Sequence, residues 1–232
     1  MIGKQSKVSA LHFTTVSLVI FLLLNIIAML MYPGTTYHDH AVQGYSFGLN
    51  FFSDLGRTVT YSGESNYISS FIFNMSLVII GLGLLSFCMV SSIIFNANKV
   101  SDISAKLASL CGVISGIALA GVGFTPDNLY HSSHMFFVNT GFRMFLVTII
   151  FLTVAIWTNK DGIPKKLAFA NIGFGVLLAI YIGIMEWGPS IETSDGLIFQ
   201  VVAQKIIVYA LVVCVLIQSW GVLKVLKKKV NL

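Results

Sequence analysis

Leu11 to Tyr32 is a run of 22 residues without a single Asp, Glu, Lys or Arg. As an α-helix it extends about 33 Å, enough to cross the roughly 30 Å hydrocarbon core of a bilayer. It is too long for the core of a signal peptide and no small-x-small cleavage site follows it, so it is expected to stay as a membrane anchor. Apolar runs of similar length recur at about 66–95, 106–125, 133–157, 166–187 and 197–223. In lipid, backbone groups must be satisfied within the segment, and runs this long do so as helices. The chain is therefore predicted to be all-α, a single membrane domain (1–232) built as a six-transmembrane-helix bundle. The 56% hydrophobic and 10% charged residues exclude a soluble globular class.

A net charge of +5 would suggest a nucleic-acid partner in a soluble protein. Here the charge sits at the ends of spans, and no nucleic acid is expected. Lys4, Lys7, Lys99, Lys106, Lys160, Lys165, Lys166, Lys224, Lys227, Lys228 and Lys229 all flank one face, eleven of the fourteen basic residues. By the positive-inside rule both termini are cytoplasmic, in a multi-pass protein of the cell (inner) membrane. Seven of the nine acids and four of the five histidines fall towards the other face, so any chemistry is expected to look outwards. Cys88, Cys111 and Cys214 lie in apolar segments and form neither a disulfide framework nor a CxxC motif.

Ala108, Gly112, Gly116 and Ala120 recur every fourth residue, a small-xxx-small stripe that lets a neighbouring helix approach closely. Gly81 and Gly83, and Gly173, Gly175 and Gly183, offer the same to their helices. Such glycine-rich faces also allow a homo-oligomer.

Against this background the segment Gly123–Arg143 is rich in polar residues. It is read as a turn that leaves the third span, stopped by Pro126, and descends into the fourth. Arg143 and Lys205 lie about 12–14 Å inside the outer boundary of their spans, counting along each helix. Asn74 and Asn25 reach a comparable depth. Asn66, Ser70 and Asn74 share one helix face, as do Asn139 with Arg143 and Gln200 with Gln204. These placements predict an outward-facing polar pocket. In one reading Arg143 and Lys205 hold the anionic part of a membrane lipid or lipid-linked molecule, with Asn74, Gln204, Asn139 and Glu186 as partners. In the other they are tied to Asp54, Glu186, Asp127 or helix carbonyls and only brace the bundle.

His131 and His134, with Asp127 one turn earlier, have the spacing of a partial metal site. Zinc held there with an open position would activate water, and Asp54, His131 and His134 would form the catalytic shell of a metal-dependent lipid hydrolase or transferase. The plainer reading has these histidines bonded to head groups and loop carbonyls, and Ser53 or Asp54 capping a short helix. A structural or assembly subunit and a small-molecule transporter are the other function classes; the latter expects polar groups continuing through the inner half of the spans.

Several short motifs together resemble the bacterial and archaeal membrane proteins catalogued as domain of unknown function 998. They are YPG (Tyr32 to Gly34), N-x-x-SDLG (Asn50 to Gly56), Asn66 opening the second span, G-x-G-F-x-P-D…H (Gly121 to His131), and the pair Gln204–Lys205. In that family the last basic residue is commonly Arg, so Lys205 departs from it. The resemblance implies a six-helix bundle with these residues on the outer side and carries no activity. More distantly, the SDLG segment resembles DRAM-type and GPI-anchor-remodelling membrane proteins, which points towards lipids. Ser53, Asp54, His131 and His134 imitate the residue types of ceramidase-like membrane hydrolases, although their order differs.

Overall fold

Hydrogen bonding carries four of the six long helices past an end of the apolar run that announces them. The computed structural model describes residues 3–95 and 98–228 and contains α1 (Lys4–Met31), α2 (Phe52–Leu55), α3 (Tyr67–Ile94), α4 (Lys99–Phe124), α5 (Asp127–Thr158), α6 (Lys166–Trp187) and α7 (Ser194–Lys228). All but α2 are long and apolar enough to cross a membrane. Among the described residues the only extended pairing is two isolated bridges, Gly34 with Gln43 and Val59 with Ser65. The protein is thus an all-α bundle of six membrane-type helices.

Two helix starts differ from the expected boundaries for identifiable reasons. The α4 helix opens at Lys99 instead of near Lys106 because the Asn98 side chain accepts the N–H groups of Val100 and Ser101, both at 3.1 Å. The α5 helix opens at Asp127 instead of near Ser133. Pro126 ends α4, and its carbonyl then receives the N–H groups of Leu129 and Tyr130 at 3.0 and 2.9 Å, starting the next helix at once. A kink at Tyr130 (φ −136°, ψ 50°) follows. The supposed turn from Asp127 to His134 is therefore helical. Lys229, one of the terminal lysines, lies outside the described residues.

The six long helices pack in the order α1, α3, α4, α5, α6, α7, with α7 returning to α1, so they close a ring. The α2 helix touches α3 and α7, and the first long loop thereby plugs one end. The opposite end carries the lysines. There Lys7 donates to the carbonyl of Ile93 at 3.3 Å, and Asn98 donates to that of Thr158 at 2.7 Å.

Glycine makes the α3–α4 contact possible. A Cβ on Gly81 would stand 2.7 Å from the Gly116 carbonyl oxygen, and one on Gly112 only 2.2 Å from Cys88 Sγ. The small-residue stripe is used inside the chain. The expectation for α6 holds at Gly175, whose Cβ would lie 3.3 Å from Ile149 Cγ2 of α5, but not at Gly173, where a Cβ meets nothing within 4 Å, or at Gly183, where it meets only Trp187 of its own helix.

Candidate functional site

The first long loop is fastened into the bundle by side chains that reach its main chain. From α3, Asn66 donates to the carbonyls of Leu55 and Arg57 at 3.2 and 2.7 Å, while Ser70 and Asn74 donate to that of Gly56 at 2.8 and 3.2 Å. From α7, Gln204 accepts the N–H of Phe52 at 2.7 Å, and the Lys205 ammonium donates to the carbonyl of Asn50. Gly56 is required by space, since a Cβ there would lie 2.7 Å from Asn74 Oδ1. The polar stripes legible on α3 and α7 therefore satisfy the backbone of a buried loop, the demand that any irregular segment makes when it leaves water.

Asp54 is the centre of this plug. Its carboxylate is fully buried and accepts hydrogen bonds from Asn50 Nδ2 at 3.1 Å, the Phe51 N–H at 2.9 Å and the Tyr61 hydroxyl at 2.8 Å. Burial raises its pKa above the ordinary 3.8, and the three donors and Arg57 pull against that rise. The Tyr61 hydroxyl is raised in turn, chiefly by burial and then by the Asp54 charge. Arg57 lies over the Tyr61 ring, 4.3 Å from its centroid, and pairs with Asp127 at 3.2 Å. Asp127 also binds His131 Nδ1 at 2.8 Å, and Asn128 clasps Thr58 through two bonds of 2.9 Å. The start of α5 and the end of the plug are thereby locked together.

Between plug and helices lies a cavity of about 440 Å³. Asp54, Arg57, Asp127, His131, His134 and Gln204 supply its polar wall; Val138 of α5 and Tyr181 of α6 supply apolar surface. Tyr181 is shared with a second hollow of about 640 Å³, an almost wholly apolar groove between α6 and α7 lined by residues such as Leu177, Ile180, Phe199 and Ile206. A polar chamber and an apolar groove thus meet at one side chain.

The polar pocket exists, but the cations expected to define it do not line it. Arg143 pairs with Glu186 and Asn139 on a partly exposed surface, its side chain 40% accessible. Lys205 is buried on the Asn50 carbonyl, its ammonium 5.0–5.4 Å from the ring centroids of Tyr45, Phe47 and Phe52. Asn74 holds Gly56, and Asn25 bonds Ser76 Oγ at 3.1 Å on α3. Equal depth on separate helices did not mean convergence, because each helix turns its polar residue towards a different neighbour. The contacts of Arg143 and Lys205 here are internal, to Asn139 and Glu186 and to the Asn50 carbonyl.

The zinc expectation is corrected on geometry as well. Although Asp127 and His131 sit together, His134 Nδ1 is turned to the Thr125 carbonyl at 2.8 Å. Among the described residues no three His, Cys, Asp or Glu side chains are grouped to hold a metal. Of the expected catalytic residues, Asp54, His131 and His134 do share the cavity.

Residue spacing in the sequence does not mark Arg57, Tyr61 or Tyr181 as site residues. Arg57 directly follows the SDLG motif, and its charge lies outside every lysine-flanked span end; that was the available signal. No family model matches the chain, and neither a curated protein nor a solved structure does.

Proposed function

We propose that the cavity receives the polar head of a membrane lipid or lipid-linked molecule while its chain lies in the α6–α7 groove. The observation that carries this reading is the Tyr181 wall common to both hollows, which sets a polar chamber beside an apolar groove, the two surfaces an amphiphile requires. Arg57 takes the place first given to Arg143 and Lys205 as the cation for an anionic head group, with the Nε of its guanidinium buried and without a partner among the described residues. Gln200 and Gln204 of α7 add polar groups to the same cavity wall. His131 and Asp54 are the titratable groups best placed for chemistry on a bound head group.

The lysine bias puts both termini in the cytoplasm and the cavity in the outer leaflet of the cell membrane. The motifs around Asn50–Gly56 and Gly121–His131 meet at this cavity, which supports membership of the family they resemble. A subunit role in a larger assembly is favoured by one observation, the Arg143–Glu186 pair left on the α5–α6 surface.

Lipid retention tests the proposal. Protein in nanodiscs of mixed phospholipids is released into a mild detergent, and bound lipid is counted by native mass spectrometry. Val138→Trp, which fills the cavity, is expected to lose the lipid, and Arg57→Gln to lose preferentially the anionic species. Ile117→Trp, on an outward-facing position of α4, is the control. Equal retention by wild type and Val138→Trp would sink the reading.

A further inference from the structure

Four side chains that line the plugged cavity, Tyr37, Tyr61, His131 and His134, have each given their one polar hydrogen to the protein. Nδ1 of His131 lies 2.8 Å from the Asp127 carboxylate, and Nδ1 of His134 lies 2.8 Å from the Thr125 carbonyl. A carbonyl or an ionised carboxylate only accepts, so Nδ1 is the protonated nitrogen, and in the neutral ring Nε2 carries a lone pair. The Tyr61 hydroxyl donates to Asp54 at 2.8 Å and the Tyr37 hydroxyl to Glu192 at 2.6 Å. Each phenol oxygen is thereby left as an acceptor.

Nε2 of neither histidine has a hydrogen-bond partner among the described residues. The two rings stand three residues apart on α5 and so on one side of that helix. Acceptors in a cavity call for donors from whatever fills it. The carboxylates of the same wall are already met, Asp54 by Asn50, Phe51 and Tyr61, and Asp127 by Arg57 and His131. The face of Tyr61, where an ammonium would seat, is covered by the Arg57 guanidinium, 4.3 Å from the ring centroid. The wall therefore offers one guanidinium beside several neutral lone pairs.

We infer that the head group is a phosphorylated polyol, a phosphodiester whose alcohol carries free hydroxyls, as glycerol, inositol or a sugar does. Arg57 takes the phosphate. Hydroxyls of the alcohol donate to Nε2 of His131 and of His134, and the Tyr37 and Tyr61 oxygens are further acceptors. Two acceptors one helical turn apart suit neighbouring hydroxyls. An anion without hydroxyls engages Arg57 alone, and an ammonium finds no unspent carboxylate. This head-group class rests on the reading of the cavity as a lipid site.

The test uses phosphatidylcholine nanodiscs with equal minor fractions of phosphatidylglycerol, phosphatidylethanol and phosphatidylethanolamine. The first two are phosphodiesters of the same charge that differ in their free hydroxyls. Each lipid retained in mild detergent is counted by native mass spectrometry at pH 8, where imidazole is neutral. Wild type is expected to hold phosphatidylglycerol over phosphatidylethanol by about tenfold, the effect of two ordinary hydrogen bonds. His131→Asn/His134→Asn keeps a donor where each Nδ1 stands and removes Nε2, and is expected to bring that ratio to about one. His131→Asn alone, at a position whose side chain is 72% accessible, avoids the buried ring and is expected to leave about threefold. A ratio near unity in wild type, a ratio unchanged in either variant, or a preference for phosphatidylethanolamine overturns the inference. If both anionic lipids are held equally and both are lost in Val138→Trp, the cavity reading stands and only the head-group class falls. If Val138→Trp retains every lipid as wild type does, the cavity reading falls and the head-group class with it.

Discussion

Lys205 of α7 donates its ammonium to the main-chain carbonyl of Asn50, in a loop 155 residues earlier in the chain. The same Asn50 turns its carboxamide to Asp54 at 3.1 Å. A buried cation and a buried carboxylate are thus linked through one asparagine, without an ion pair between them. The strong polar groups of the loop-rich end serve mainly to hold a plug of irregular backbone against helices that offer it no water.

Lys205→Met keeps the packing stem and removes the charged donor, leaving the Asn50 carbonyl only the Tyr45 hydroxyl at 3.1 Å. The expected cost is about 2 kcal/mol, typical of a hydrogen bond to a charged group. Thermal unfolding in detergent measures the loss. Limited proteolysis locates it, with new cleavage expected between residues 33 and 66 and none in the spans.

Folding raises the Asp54 pKa, so the folded chain binds more proton than the unfolded chain between the ordinary value of 3.8 and the higher folded value. Stability from this group is accordingly greatest at or below the ordinary value and falls as pH rises across that interval. Asp54→Asn removes this dependence. Its carboxamide oxygen can still accept from Asn50 Nδ2 and the Phe51 N–H, which share Oδ2, but an amide donor then replaces the acceptor that faces the Tyr61 hydroxyl, with an expected loss of about 1–3 kcal/mol. Unfolding midpoints measured from pH 4 upwards, wild type beside variant, check both the slope and its disappearance.

The two glycine environments separate cleanly. A Cβ on Gly123 would lie 2.5 Å from the main-chain oxygen of Asn74, so Gly123→Ala must push α3 and α4 apart and is expected to cost about 1–3 kcal/mol. Gly173→Ala meets open space and is expected to be neutral or to stabilise by up to about 1 kcal/mol through helix propensity. Melting temperatures in one detergent compare the pair.

Arg143 and Glu186 are each about two-fifths exposed, so solvent and head groups screen their attraction. Arg143→Gln is expected to shift stability by no more than about 1 kcal/mol. Arg143→Glu should lower the melting temperature further, and Arg143→Glu/Glu186→Arg should restore it. A reversed pair that fails to rescue would mean that Arg143 acts through another contact.

Much of the site was written in the sequence without its destination. The stripes Asn66–Ser70–Asn74 and Gln200–Gln204 were readable from helical spacing, as were the pairing of Asp127 with His131 and the prospect of a short helix at Ser53–Asp54. What the stripes bond to was not readable. Asn74 and Gln204 meet the main chain of a loop whose own residues, apart from the SDLG motif, look like an ordinary hydrophilic connection. Arg57 sits in that loop, where an arginine needs no explanation until the loop is found buried.

The apolar runs by themselves determined that six helices form and about how long each is, because a backbone in lipid has no other partners than its own, and the charges between them gathered the lysines at one end. The ring order of the helices, the seating of Asp54 beneath Tyr61 and the divergence of Arg143 from Lys205 were decided only by tertiary structure. Hydropathy and helical period specify how deep a residue lies along its own helix. The rotation of that helix against its neighbours, set by Gly81, Gly112 and Gly123 and by the plug that α3 and α7 share, determines which residues of equal depth actually meet.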